Sequence, residues 1–254
     1  GRDLESIIQE ILVVYEDHKD QAPFDLKRFS DFSQMRERVA MKLIHTKSNE
    51  TLLKEIPSIP FHDLSIVFYL FLDKDEHGQM TVLIRNDHLP IWNTDTSELY
   101  KLAIDNTPRL YPPCIRSMAS LINDMLFVNG TLIQPSFAAA SQNALDLTDT
   151  PIPLSILTNT SGIFGASAML YPGVLKEFSK KIGHDLIILP SSVHEVLLLP
   201  YDSTYSFQEM ADMVKDVNEK CVPVEEQLSN QVYYYSSTQD SIFLGGDPAS
   251  RILS

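Results

Sequence analysis

Asp185 to Pro200 reads DLIILPSSVHEVLLLP, two uncharged aliphatic runs bounded by proline on either side of a small polar centre. Runs of this length, rich in Ile, Leu and Val, predict buried strands, and the pair predicts a β-hairpin. The centre holds Ser191, Ser192, His194 and Glu195. Polar groups set between buried strands cost free energy unless they are hydrogen-bonded or put to chemical use. On an extended strand Ser192 and His194 share one face and Glu195 takes the other. Ser192 as nucleophile and His194 as its base, with a carboxylate orienting the imidazole, would be an acyl-transfer arrangement. Ser192, His194 and Glu195 are therefore the candidate catalytic residues. The set is incomplete, because neither PSSVH nor GASAM (Gly165–Met169) forms the G-x-S-x-G turn on which such a serine usually sits.

Working outward, Leu154–Thr158 and Phe164–Leu170 read as strands, and Pro172 followed by Gly183 brackets a helix. Ser206 with Glu209 forms a capping box that opens another helix, whose apolar face is Phe207, Met210, Val214 and Val217. Tyr233–Ser237 and Ile242–Leu244 read as short closing strands, with Tyr233, Tyr234 and Tyr235 either alternating in and out or forming an interface patch. Nearer the N-terminus, Leu64–Asp73 and Met80–Arg85 predict a second hairpin around the polar turn Lys74–Gly78. Asp95 and Glu98 cap a helix expected to stop near Asn106, since Thr107 precedes Pro108. Pro112-Pro113 then predicts a helix from Cys114 to about Leu126. Leu4, Ile7, Ile8, Ile11, Leu12 and Tyr15 mark an amphipathic first helix, and Met35, Val39, Leu43 and Ile44 the face of a second.

The fold class that follows is α+β, a mixed or antiparallel sheet built from β-hairpins with packed helices and an N-terminal helical pair. Residues 1–60 form the helical segment and 61–254 the α+β domain, as one body or as two closely joined halves, 61–127 and 153–254. Residues 127–153 have weak periodicity and are the expected loop between them.

Composition narrows the function. The chain has 254 residues, 44% hydrophobic, enough for one large core or two smaller ones. Its 20 basic and 34 acidic residues give a formal net charge of -14. The first 50 residues carry 8 Lys or Arg against 10 Asp or Glu, so nearly all the excess lies beyond them. So acidic a surface repels phosphate backbones, and no nucleic-acid partner is expected unless the surface itself mimics one. No apolar run reaches membrane-spanning length, so no membrane partner is expected either. Cys114 and Cys221 stand alone, without a CxxC, which suits a reducing compartment.

Other motifs fail on their spacing. His194-Glu195 lacks a second His, because position 198 is Leu. Asp73, Asp75, His77 and Gly78 echo the start of a calcium loop whose twelfth position would be Ile84. There is no phosphate-binding glycine loop, so no metal and no cofactor is expected. Arg109 is a candidate anion ligand or a partner for a surface carboxylate, and Asn106 and Asn159 are candidate binding residues that suit left-handed caps or turns equally well.

AIDNTPRLYP (Ala103–Pro112), ILTN (Ile156–Asn159), FGASAMLY (Phe164–Tyr171), LPSSVHEVLLLP (Leu189–Pro200) and EEQLSNQVYYY (Glu225–Tyr235) occur in an order and spacing that resemble a bacterial family, domain of unknown function 5688, seen mainly in gut Firmicutes. The resemblance implies a bacterial cytoplasmic setting and no mechanism. Members of that family look longer at the N-terminus, in keeping with a chain that opens Gly1-Arg2 without Met. The leading expectation is a non-catalytic interaction or regulatory module of a bacterial cytosolic protein, with an unidentified protein partner. The alternatives are a hydrolase using Ser192 and His194, and an acidic decoy that imitates a nucleic acid.

Overall fold

The computed structural model describes residues 31–75, 78–118, 154–190 and 192–246. The first predicted helix and the loop expected at 127–153 lie outside them. The chain divides into two compact units, one taking residues up to Met41 with Asn49–Ile59 and Ile66–Leu110, the other taking Lys42–Ser48, Pro60–Ser65 and the chain from Tyr111 onward. Among the described residues the architecture is α+β, with two sheets.

The described chain opens with α1 (Phe32–Met35) and then β1 (Val39–His45), β2 (Ser58–Phe61), β3 (Leu64–Asp75) and β4 (Gly78–Leu83), with α2 (Glu50–Leu53) between β1 and β2. The sheet order is β1-β3-β2, and β4 pairs with β3. The predicted second hairpin is β3 with β4, antiparallel, running from Tyr69 opposite Leu83 to Asp75 opposite Gly78 with a bulge between Phe71 and Asp73. The expected second helix is corrected. Val39, Leu43 and Ile44 lie on β1, which is buried on both faces, and a continuous VAMKLI run satisfies a helical spacing by coincidence.

The first unit continues with α3 (His88–Trp92) and α4 (Thr96–Leu110). Asp95 caps α4 as predicted, accepting from the Glu98 N–H at 2.8 Å. The helix does not stop at Asn106 but runs through Pro108 to Leu110. Its last turns are held from the side: the Thr107 hydroxyl donates to the Ala103 carbonyl at 2.6 Å and accepts from the Met41 N–H at 3.1 Å. The Asn106 amide donates to the carbonyls of Arg36 and Val39 at 2.7 and 3.1 Å. These bonds outweigh the one amide donor lost at the proline.

The second unit carries a six-stranded antiparallel sheet in the order β10-β9-β7-β8-β6-β5. Its members are β5 (Pro113–Ser117), β6 (Ser155–Asn159), β7 (Leu186–Leu189), β8 (Val196–Pro200), β9 (Tyr233–Ser236) and β10 (Ser241–Leu244). The aliphatic hairpin forms as predicted, with Leu186 opposite Pro200 and Leu189 opposite Leu197. Leu186, Ile187, Ile188 and Leu198 are fully buried, each contributing about 1.5–3 kcal/mol of apolar burial. One sheet face, with Ile156, Ile187, Leu197 and Leu199, packs against α6 (Phe207–Cys221), which Ser206 caps through the Glu209 N–H. A 3-10 run, Gly165–Leu170, packs on β6 and β8 and leads into α5 (Val174–Ile182).

Two expectations fail here. Cys114 begins no helix: Pro113 opens the end strand β5, a position where its missing N–H is tolerated. Phe164–Leu170 is no strand, because Phe164 adopts the left-handed region at φ 53° and turns the chain into the 3-10 run.

The tyrosine run is explained by aspartates. Tyr233 donates its hydroxyl to Asp63 at 2.5 Å, Tyr234 to Asp185, and Tyr235 to Asp240 at 2.6 Å. Burial first, and then the aspartate it faces, holds each phenol above its ordinary range. Burial pushes the Asp185 carboxyl up, but hydrogen bonds from Ser237 and Tyr234 more than reverse this and hold it below the usual value of 3.8. Tyr235 and then Lys176 lower Asp240 in the same way. Carboxyls with depressed folded values stabilise the fold above the unfolded value and lose that contribution as pH falls through the folded one. The Tyr234→Phe, Tyr235→Phe double variant is therefore expected to lose less stability than wild type between about pH 5 and pH 2. Urea unfolding at a series of pH values checks this, and parallel curves would show the pairs to be energetically idle.

Candidate functional site

The segment between β7 and β8 is no strand, so the shared face expected for Ser192 and His194 does not arise. Ser191 lies outside the described residues. Ser192 pairs with Gln227 through an isolated bridge. Its hydroxyl oxygen accepts from the His194 backbone N–H at 3.1 Å, closing a tight turn. The imidazole faces elsewhere. Its Nδ1 accepts from the Phe164 N–H at 3.3 Å, which places the proton of the neutral ring on Nε2. Nε2 faces Glu226 Oε1 at 3.7 Å, beyond hydrogen-bond reach. The structure thus joins Ser192 to His194 through backbone rather than through the ring. Glu195 is half-buried, and burial raises its carboxyl above the usual range while the neighbouring His194 opposes the rise.

Three segments clamp this turn. The Val193 N–H donates to the Glu226 carbonyl at 2.9 Å, and the Val193 carbonyl accepts from the Ala166 N–H at 3.2 Å. On β6, the Thr158 hydroxyl donates to the His194 carbonyl at 2.8 Å. Gly165 makes that last approach possible. A Cβ built there would lie 2.2 Å from Thr158 Oγ1, 2.4 Å from the His194 carbonyl oxygen and 2.8 Å from the Asn159 nitrogen.

Phe164 and Lys42 complete the surroundings, and no sequence motif announced them. The Phe164 ring stacks on the imidazole at 6.1 Å with an interplanar angle of 9°. Lys42 Nζ stands 4.0 Å from the centroid of the Phe164 ring. Burial lowers the Lys42 ammonium below its usual range, and the cation–π contact offsets this by about 0.5–2 kcal/mol. The non-glycine left-handed backbone at Phe164 costs about 1–2 kcal/mol, so the surrounding contacts have to hold it in place.

The three binding candidates are also engaged within the protein. Asn106 sits inside α4 and is no left-handed cap; its Oδ1 accepts from Arg109 at 3.2 Å. Arg109 donates besides to the Glu37 carbonyl at 2.8 Å. Asn159 does form a turn, accepting from the N–H groups of Ser161 and Gly162 at 3.0 and 2.9 Å and donating to the Ile163 carbonyl at 2.9 Å. Among the described residues no three of His, Cys, Asp and Glu gather as a metal site, and no helix is long and apolar enough to cross a membrane.

A separate groove of about 1140 Å³ lies between α5 and the face of β5 and β6. Ile115, Val174, Phe178, Ile182, Tyr201 and Tyr205 supply its apolar lining, and Lys181, Glu177 and Asp202 its charges. Ser192, His194 and Glu195 do not line it.

A family model matches residues 1–237 of the chain, a span that includes the LPSSVHEVLLLP block and the FGASAMLY segment folded against it. The chain belongs to the family of unknown function DUF5688. No curated protein and no solved structure matches it. The DUF5688 chain therefore brings no assigned reaction with it, and the turn has to be judged on its own geometry.

That geometry depends on Gly165. Gly165→Ala is expected to cost about 3 kcal/mol or more, because the added methyl meets backbone as well as a side chain. Removing the side-chain clash in Gly165→Ala, Thr158→Ala should not restore stability, since the His194 carbonyl remains. Denaturant midpoints of the two variants decide the point, and full rescue by Thr158→Ala would show that the carbonyl contact is not limiting.

Proposed function

We infer that this chain is a non-catalytic interaction module of a bacterial cytosolic protein. The observation that carries the reading is the use made of Ser192: its oxygen accepts from the His194 backbone N–H, while the imidazole Nδ1 accepts from Phe164. A nucleophilic serine needs its proton to face the base, and that base nitrogen must be open to receive it. Both requirements go unmet, and the serine is 9% exposed. The acidic-decoy alternative is weakened by Asp63, Asp185 and Asp240, whose carboxylates bind tyrosine hydroxyls of the same chain rather than standing free in a phosphate-like row.

A serine-reactive fluorophosphonate probe tests the reading directly. The protein is expected to remain unlabelled at concentrations that saturate an ordinary serine hydrolase. Labelling that disappears in Ser192→Ala would overturn the interaction-module reading in favour of a hydrolase.

A further inference from the structure

Phe164 is where the chain leaves β6 and its following turn to enter the 3-10 run, and it does so in a conformation that L residues with large side chains rarely adopt. Its N–H is held by an imidazole lone pair. That lone pair exists only while Nδ1 is unprotonated, and imidazole is the side chain whose protonation ordinarily falls near neutral pH. A proton on Nδ1 sets two N–H donors against each other at 3.3 Å. The same proton turns the Nε2 contact with Glu226, now 3.7 Å, into an ion pair.

We propose that His194 is a proton-sensitive latch: its neutral ring holds Phe164 in the left-handed conformation, and the protonated ring releases Phe164 and pairs with Glu226. The charged groups around the ring all bear on this exchange. They are Glu226, 3.7 Å from Nε2, the neighbouring Glu195, and Lys42 on the Phe164 ring that stacks against the imidazole. The position of Phe164 matters because the 3-10 run that follows it, Gly165–Leu170, leads directly into Pro172, Gly173 and Val174, which form one wall of the groove. The latch stands whether or not that groove binds a partner, so its test is independent of the one above.

Imidazole 15N spectroscopy with amide hydrogen exchange on the full chain tests the device. At the alkaline end the spectra should show the Nε2–H form of His194. As the ring titrates, the Phe164 amide shift should follow it, and Phe164 protection, corrected for intrinsic exchange, should fall on the order of tenfold, the equivalent of one hydrogen bond. His194→Asn, whose side-chain oxygen occupies the place of Nδ1 and does not titrate, should hold that protection constant across the range. Glu226→Gln should move the midpoint to lower pH. An Nδ1–H form at high pH, or Phe164 protection that ignores the ring's titration, would overturn the latch; both readings come from the wild-type chain and stand even if a variant fails to fold.

Discussion

The absent side chain at Gly165 is the constraint on which the centre of the second unit depends. Because nothing projects from that Cα, the 3-10 run comes down onto β6, the Thr158 hydroxyl reaches the His194 carbonyl, and the Ala166 amide reaches Val193. The turn between β7 and β8 is thereby enclosed by β6, the 3-10 run and the segment at Glu226 and Gln227. A buried polar turn is acceptable only when its groups are satisfied, and here each of the three segments supplies part of that satisfaction. The left-handed backbone at Phe164 stands at the entry to that run. It lets the chain reverse at the end of the β6 turn and delivers an aromatic ring to the imidazole.

Much of this fold is legible in the residues, and the failures have physical causes. The hairpin of β7 and β8 was readable because long aliphatic runs between prolines leave few alternatives, and α6 because a serine cap and a helical apolar face agree. Val39 to Ile44 misled because a strand buried on both faces has no alternation, so its apolar residues fit a helical period as well. Pro112-Pro113 misled because proline suits a helix start and an end strand alike. Phe164–Leu170 has the composition of a strand, and the backbone reversal at its first residue leaves no mark on composition. Asn106 and Thr107 overrode a local helix stop through bonds to residues some 70 positions earlier, at Arg36, and 66 earlier, at Met41.

For the candidate site, the polar residues of the turn were legible and their roles were not. Ser192 and His194 were visible as polar groups between buried runs. Whether they face each other depends on whether the segment is extended, and it is a turn. The groups that decide the imidazole's role, Phe164, Glu226 and Lys42, come from 30 residues before, from the turn that follows α6, and from β1. No local spacing encodes contacts of that range. The tyrosine run shows the same limit, since an interface patch and three inward hydroxyls have one sequence signature, and only the positions of Asp63, Asp185 and Asp240 separate them.

The stability of Ser192→Ala is the most direct measure of whether the polar turn exists for structure. If the hydroxyl is there to hold the His194 N–H, its removal leaves a donor poorly satisfied, and urea unfolding should show a loss of about 1–2 kcal/mol. Polar groups kept for chemistry tend to be neutral or costly to the fold. Unchanged or increased stability in Ser192→Ala would contradict the structural role.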